Sequence, residues 1–214
     1  MGSVTANRAW HLLVAILAAI GLGIEYDVTV GGHPGQLAGR TIVFLSFFTI
    51  LTNALAMTAS IGAAIGEGRL HRWAASPGTS TAISVHITVV AVIFQLLLAG
   101  LIHLTAIGWW GNMLVHQLVP GLWLVGWIAF APHGGIDRLA PLRWLIYPLA
   151  YTAWVLIHGA ITGWYPYPFM DVGKYGARPT AQKMAVIALF FAGLGYAYRW
   201  IDGRLAIIRQ NRSR

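Results

Sequence analysis

The chain has 214 residues, of which 57% are hydrophobic and only 9% charged, and it contains no cysteine. Soluble domains carry about a quarter charged residues, so this composition predicts one transmembrane domain over residues 1–214. The lack of cysteine excludes disulfides, a thiolate nucleophile and a Cys-ligated metal. The formal net charge of +8 does not indicate a nucleic-acid partner, because the basic residues lie at the ends of apolar segments and contact anionic lipid there.

Six apolar segments are each long enough to cross a membrane as a helix. In chain order, the predicted spans cover residues 9–29, 41–65, 79–103, 110–131, 143–163 and 180–201. The first segment has no convincing small-residue cleavage site, so we interpret it as a retained helix rather than a signal peptide. Short connections make consecutive helices antiparallel neighbours. We therefore expect an all-α integral membrane fold with six transmembrane helices in one bundle.

The basic residues are distributed unequally between the two ends of this bundle. One end carries Arg8, Arg69, Arg72, Arg138, Arg143, Arg199, Arg204, Arg209, Arg212 and Arg214, and the other carries Arg40, Lys174, Arg178 and Lys183. The positive-inside rule then predicts a multi-pass protein of the inner (plasma) membrane with both termini in the cytoplasm. The Arg-rich segment after Ile201 is expected to lie against the inner leaflet.

Polar side chains of three predicted helices fall at a similar depth. At 1.5 Å per residue, Thr49 lies about 12 Å, His116 about 9 Å and His158 about 8 Å below the outer ends of their helices. Thr49 and Asn53 are four residues apart, as are Asn112 and His116, so each pair shares a helix face. The spans therefore predict one polar layer in the outer half of the bundle.

Each of these side chains also has a purely structural interpretation. A Thr in a membrane helix commonly donates to the carbonyl group four residues earlier, and a buried His commonly forms an interhelical hydrogen bond. The Trp and Tyr residues are attributed largely to interfacial belts. From the pattern alone, the polar layer is a candidate site beside these structural alternatives.

A hydroxyl group beside an imidazole supplies a nucleophile and its general base. We expect none of the six carboxylates inside an apolar span, so a full Ser-His-Asp arrangement is not predicted. Asn53 and Asn112 are candidates to orient the imidazole or to donate to an oxyanion. The pattern predicts a candidate acyl-transfer site, and a water-poor location suits a lipid ester.

Three sequence segments carry these residues: SFFTILTNALA, LVHQLVPGLW and HGAITGWYPYPFMD. With six spans and this length, they resemble the family of the androgen-induced and androgen-dependent TFPI-regulating proteins, in its bacterial branch. The resemblance covers most of the chain, and its most specific motif is TGWYPYPF followed by Asp171. Animal members of that family are threonine-dependent membrane hydrolases of fatty acid esters of hydroxy fatty acids.

The resemblance implies that Thr49 is the nucleophile and His116 the base, acting on a fatty-acid ester without a cofactor or metal. Thr52 is a rival hydroxyl nucleophile, and Asn53, Asn112 or His158 would polarise the carbonyl or hold the ring. Three aromatic residues, Trp164, Tyr165 and Tyr167, are expected to shape the mouth of the site. A fatty-acid carboxylate at the outer interface would be held by Arg178, Lys174 or Arg40.

A first alternative is a metal or haem protein that uses His103, His116 and His158 as ligands, because imidazole suits zinc, iron and copper. No carboxylate or thiolate in the predicted spans completes this ligand set. The sequence also contains no pair of histidines three or four residues apart.

A second alternative is a transporter of protons or small solutes, because intramembrane ionisable groups also mark transport pathways. The predicted polar groups cluster in the outer half, so they form no continuous polar path. The sequence also shows no sign of the inverted repeats that are common in transporters. The oligomeric state is open on any of these interpretations.

Overall fold

A computed structural model describes residues 2–101 and 104–212. The regular structure in these residues is helical throughout. Within them, six helical segments are long and apolar enough to cross a membrane: Val4–Gly31, Phe48–Ile65, Pro77–Leu101, Ala106–Phe130, Ala140–Thr162 and Ala177–Asn211. The prediction of an all-α fold with six helices able to span a membrane is therefore confirmed.

The spans are assembled from α-helices and shorter helical turns. The α-helices are α1 (Gly2–Tyr26), α2 (Leu37–Leu45), α3 (Phe48–Ile65), α4 (Gly68–Ala74), α5 (Pro77–Ile93), α6 (Ala106–Met113), α7 (Val119–Phe130), α8 (Ala140–Arg143), α9 (Ile146–Thr162), α10 (Val172–Tyr175) and α11 (Ala177–Arg212). Wider π-helical turns occupy Asp27–Gly31, Phe94–Leu98 and Leu114–Leu118, and 3₁₀ turns occupy Pro34–Gln36, Ala99–Leu101 and Pro168–Met170. α1 packs against α3, and α11 packs against α5.

The second span is broken, whereas the sequence predicts one continuous helix over residues 41–65. α2 ends at Leu45 and α3 begins at Phe48, with Phe47 extended at φ −90° and ψ 127°. Irregular backbone at membrane depth is tolerated only where protein groups satisfy its polar atoms. Here Tyr151 donates to the Ser46 carbonyl oxygen over 2.9 Å, and Trp154 Nε1 donates to the Ser46 hydroxyl over 3.0 Å. These two aromatic residues are therefore bundle contacts and not only part of an interfacial belt.

The last helix continues to Arg212 instead of ending near Ile201. Arg209 donates hydrogen bonds to carbonyl oxygens at the end of α7, those of Ile128, Ala129 and Ala131. The last carbonyl groups of a helix have no intrahelical donor, so Arg209 caps α7. The segment after Ile201 is therefore a helix, and its Arg209 side chain binds the protein.

A carboxylate does lie inside a span, so the expectation of none is wrong. Asp202 of α11 is 1% exposed, accepts a hydrogen bond from the Gly134 N–H over 2.8 Å and pairs with His133 Nδ1 at 2.9 Å. Glu25 also lies within the first span. The Asp202 contacts fasten the loop between α7 and α8 to α11, at the same end of the bundle as the Arg209 cap.

Candidate functional site

The hydroxyl oxygen of Thr49 lies 3.2 Å from Nε2 of His116. Thr49 belongs to α3 and His116 to the π-helical turn before α7, so the contact joins the second and fourth spans. Both side chains are buried, with 7% and 9% of their surface exposed. The structure thus brings together the two residues that the sequence analysis names as nucleophile and base.

The other side of the imidazole determines which nitrogen carries the proton. Nδ1 of His116 lies 3.1 Å from the carbonyl oxygen of Asn112. A carbonyl oxygen only accepts hydrogen bonds, so the proton belongs on Nδ1 and Nε2 has the free lone pair. Nε2 then accepts from the Thr49 hydroxyl, as a general base must. The backbone carbonyl group of Asn112 therefore orients the ring, whereas the sequence offers Asn53 and Asn112 as candidates either to orient it or to donate to an oxyanion.

The π-helical turn Leu114–Leu118 determines where this imidazole points. Pro120 has no N–H to donate to the His116 carbonyl group four residues earlier, so the regular α-helical hydrogen bonding is interrupted here. π-helical turns are rare, and many occur at functional sites. Phe94, from the π-helical turn after α5, stacks on the His116 ring with centroids 3.8 Å apart and planes inclined by 24°. One face of the imidazole is therefore shielded by an aromatic ring.

The side chain of Asn53 fastens the two segments that carry the pair. Its Nδ2 donates to the carbonyl oxygens of Thr49 and Val115, each over 2.9 Å. Val115 directly precedes His116, so one amide group fixes the backbone beside both Thr49 and the imidazole. Asn53 is therefore a positioning residue, and these bonds do not involve the imidazole itself.

Thr49 is the second residue of α3, so it lies at the start of a helix. The first N–H groups of a helix have no intrahelical acceptor and carry a partial positive charge. Burial raises the pKa of the Tyr167 phenol, while hydrogen bonding with the side chain of Thr49 and with the backbone of Thr49 and Phe48 lowers it. The phenol therefore lies close to the start of α3, beside the nucleophile.

A cavity of about 210 Å³ opens onto Thr49. Its walls come from α3, α5, α9, α11 and the turn at Pro168–Met170, and most of its lining is aliphatic or aromatic. Representative lining residues are Val89, Ile93, Leu145, Met184, Ile187 and Phe191. Among the lining residues that the structure describes, none has a charged side chain. The space beside the Thr49 hydroxyl is therefore suited to hydrocarbon.

Thr49 and His116 lie at one level of the bundle, because their side chains are in contact. Thr49 is the second residue of the span Phe48–Ile65, and His116 is ten residues after the start of the span Ala106–Phe130. The depths counted from the sequence agree only because the sequence takes residues 41–65 as one continuous helix.

His158 does not join this pair. α9 ends at Thr162, so His158 lies only about 6 Å from that end, while Tyr151 lies about 16 Å from it. The His158 ring packs between Trp154 and Trp164, with centroid distances of 5.7 and 5.9 Å. Tyr151, two turns deeper on α9, contacts the break before Thr49 through the Ser46 carbonyl group, and the sequence analysis did not assign it to the site.

Four other predicted residues have structural contacts of their own. Thr52 is hydrogen-bonded to the Tyr147 hydroxyl at 3.1 Å, and the Trp164 ring packs edge-on against Phe47 at 5.7 Å. Tyr165 packs on Gly159, and Asp171 caps α10 by accepting from the Lys174 N–H. Of the four, Trp164 packs against the break through Phe47, and none of these contacts involves the imidazole.

Two predicted polar residues lie away from the site or outside the described chain. Arg178 is exposed in the first turn of α11. His103, which the metal hypothesis requires, lies outside the described residues. Among the residues that are described, no group of three or more His, Asp or Glu side chains is placed to hold a metal ion.

Sequence reasoning missed Tyr147, Tyr151 and the role of Ser46. Tyr147, Tyr151 and Trp154 follow helical spacing on one face of α9, and this stripe of polar aromatic groups at mid-span is the signal that identifies them.

Comparison of the chain with protein-family models, curated proteins and solved structures finds no match.

Proposed function

We propose that this chain is an integral-membrane hydrolase of lipid esters, with Thr49 as nucleophile and His116 as general base. One observation carries the proposal: the Thr49 hydroxyl faces Nε2 of an imidazole whose Nδ1 proton is held by the Asn112 carbonyl group. A hydroxyl nucleophile needs a base in this tautomer and within hydrogen-bonding distance. The resemblance to hydrolases of fatty acid esters of hydroxy fatty acids supports the same pair.

In the proposed reaction, the Thr49 oxygen attacks the ester carbonyl carbon as its proton passes to Nε2 of His116. The tetrahedral intermediate collapses, the bond to the alcohol oxygen breaks, and His116 gives its proton to that oxygen. The acyl group is then bound to Thr49. A water molecule, deprotonated by His116, attacks the acyl carbon and releases the fatty acid, which restores the Thr49 hydroxyl.

The start of α3 supports stabilisation of the negative charge that forms on the carbonyl oxygen. N–H groups at a helix start and a neutral hydroxyl donor are typical of oxyanion sites. Phe48 and Thr49 supply the N–H groups, and the Tyr167 phenol is beside them. Because burial raises the pKa of this phenol, it keeps its proton and can donate it in a hydrogen bond.

The orienting group of His116 is a carbonyl oxygen, where a serine protease uses a carboxylate. A carbonyl group fixes the tautomer and the ring orientation, but it stabilises the imidazolium less than a charged carboxylate does. We therefore expect slower turnover than that of a full catalytic triad. A neutral carbonyl group also costs less free energy to bury inside a membrane than a charged carboxylate does.

The apolar cavity beside Thr49 supports a lipid as the substrate. We propose fatty acid esters of hydroxy fatty acids as the substrate class, in line with the resemblance. The basic residues at one end of the bundle support an inner-membrane location with both termini cytoplasmic, and with that orientation we propose that the site lies in the outer half. Membrane lipids are then the surrounding medium, and no cofactor takes part.

Purified protein incubated with hydroxy-fatty-acid esters tests the proposal, with wild type compared against Thr49→Ala and His116→Ala. We expect both variants to lose hydrolysis while they remain folded, as shown by a cooperative thermal transition. Equal turnover in all three proteins would exclude this pair. Labelling with a fluorophosphonate probe and mapping the modified residue separates Thr49 from the rival Thr52.

A further inference from the structure

The cavity beside Thr49 reaches the lipid-facing surface of the bundle between α9 and α11. Its wall includes Leu149 of α9, which is 55% exposed, and Ala185 of α11, which is also exposed. A residue that lines the cavity and is also exposed marks a place where the cavity opens outward. In a membrane-spanning bundle, this opening faces hydrocarbon and not water.

Small side chains keep this opening wide on the side of α11. Ala185 and Ala188 line the cavity and are three residues apart, so they lie on one face of the helix. The larger lining residues Met184 and Phe191 flank them on the same helix. On the side of α9, the facing wall is formed by Pro148, Leu149 and Thr152.

The shape of the cavity follows the helix axes. The lining from α5 and the π-helical turn after it runs from Val89 to Leu98, and the lining of α11 runs from Met184 to Phe191. At about 1.5 Å per residue, these stretches measure about 14 Å and about 10 Å along the helix axes. The space is therefore an elongated slot, open on its side, with Thr49 in its wall.

The chemistry of the lining identifies the occupant as hydrocarbon. Thr49, Tyr151, Thr152 and Tyr167 are its hydroxyl-bearing members, and the Thr152 hydroxyl is already bonded to the Pro148 carbonyl oxygen at 2.8 Å. The remaining hydroxyl groups lie near the nucleophile, where an ester group would sit. An apolar slot of this kind does not retain water well, whereas an acyl chain fills it favourably.

We propose that the acyl chain of a membrane-dissolved ester enters sideways from the bilayer between α9 and α11 and lies in this slot, with its carbonyl carbon at Thr49. The inference rests on the proposed function for the position of the ester group. The binding of an acyl chain in the slot can be measured without turnover.

The test narrows the opening from the side of α11. Ala188→Trp fills the slot, Ala188→Leu fills it partly, and Leu189→Trp is the matched control because Leu189 is exposed on the same helix and does not line the slot. Each variant is reconstituted in phosphatidylcholine vesicles and assayed with a long-chain ester. The same variants are assayed in detergent with a water-soluble short-chain ester.

We expect Ala188→Trp to lower long-chain turnover about tenfold or more, Ala188→Leu to lower it less, and the control to match wild type. In the Ala188 variants, short-chain turnover should fall less than long-chain turnover, since the short ester needs little of the slot, so the ratio of long-chain to short-chain turnover should drop. A cooperative thermal transition shows that the variants are folded. Long-chain turnover unchanged in both Ala188 variants would overturn the lateral slot.

A photoreactive diazirine fatty acid tests binding in the slot independently of ester hydrolysis. Wild type and Thr49→Ala should crosslink to it at residues of α9 and α11, and Ala188→Trp should lose this crosslink. If wild type cleaves neither ester but the crosslink appears and is lost as stated, the hydrolase proposal fails and the acyl slot stands. Crosslinking that is unchanged in Ala188→Trp contradicts the slot whatever the activity.

Discussion

The hydroxyl group of Tyr151 donates a hydrogen bond across the bundle to the carbonyl oxygen of Ser46, over 2.9 Å. Ser46 lies in the break between α2 and α3, so its carbonyl group has left the helical hydrogen bonding. The bond therefore holds the break against α9. Because Thr49 is three residues after Ser46, the same bond helps to fix the position of the proposed nucleophile.

Replacing Tyr151 with Phe should destabilise the protein and slow hydrolysis. The substitution leaves the Ser46 carbonyl group buried without this donor, which costs about 1–3 kcal/mol. Thermal unfolding in detergent measures the loss, and ester turnover of the folded variant reports the looser start of α3. Tyr196→Phe is the control, because Tyr196 is exposed on α11. Equal unfolding temperatures for the two variants would contradict this role of Tyr151.

Replacing Tyr167 with Phe should lower kcat by about 10²-fold and change KM little, because one donor to the oxyanion is lost. The ring would keep its stacking on Phe169, whose centroid is 5.3 Å away. A boronic acid, which mimics the tetrahedral intermediate, should bind the variant more weakly, while the fatty acid product binds as before. If both ligands weaken equally, Tyr167 shapes the pocket and does not stabilise the oxyanion.

The raised pKa of Tyr167 also predicts how activity depends on alkaline pH. Burial favours the neutral phenol, so the proton is lost only above the ordinary tyrosine value of about 10. Wild-type activity should therefore persist through that pH without a loss caused by this group. A wild-type decline centred near pH 10 that disappears in Tyr167→Phe would contradict the neutral donor.

Replacing Asn53 with Leu should uncouple the backbone of Thr49 from that of Val115. The variant loses both amide hydrogen bonds, and we expect about 1–3 kcal/mol lower stability together with slower fluorophosphonate labelling of Thr49. Thr52→Val is the matched control on the same helix: it removes the bond to Tyr147 and should keep the labelling rate. If Thr52→Val lowers the labelling rate more than Asn53→Leu does, the result would favour Thr52 as the nucleophile.

Replacing Asp202 with Ala should destabilise the far end of the bundle without altering the site. The His133 Nδ1 and the Gly134 N–H lose their buried acceptor, at a cost of about 1–3 kcal/mol. Turnover per folded molecule should match that of wild type. A large fall in turnover at full folding would mean that this end is coupled to Thr49.

Asp137→Asn is the control in the same loop. The Leu139 N–H and the Arg143 side chain lower the pKa of Asp137, but the carboxylate is exposed, and exposed ion pairs contribute little to stability. Because the pKa is lowered on folding, this small contribution is present above the ordinary pKa and is lost as pH falls through the folded value. At neutral pH, the unfolding temperature should therefore stay near that of wild type.

The sequence predicts the spans because a segment that crosses a membrane must form all its backbone hydrogen bonds within one helix. Hydropathy and length are then enough to locate such a segment. It predicts a common depth for Thr49 and His116 because both are counted from the same side of the bundle, whereas their contact is known only from the structure. The break at Ser46 and Phe47 is not predictable from hydropathy, since neither proline nor glycine marks it. Its stabilising groups come from α9, about a hundred residues later, and are known only once the helices are packed.

His158 shows where depth counting fails. Its predicted depth is counted from the end of the fifth predicted span at Gly163. In the structure, the rings of Trp154 and Trp164 pack against its side chain instead of Thr49 or His116. A count along one helix gives a level in the membrane but not the direction in which a side chain points. Tyr151 is two turns deeper on the same face, and it reaches the break because its longer side chain carries a hydroxyl group at the tip.

The π-helical turn at Leu114–Leu118 holds one residue more than an α-helical turn would at that place. Deleting a single residue of the turn, such as Leu118, would restore ordinary winding and leave the two halves of the span in nearly their present orientation, because the wide turn accommodates the extra residue locally. The side chains inside the turn, that of His116 among them, would change direction. Such a deletion, which leaves hydropathy almost untouched, is therefore expected to separate the imidazole from Thr49 while the helix packing on both sides is kept.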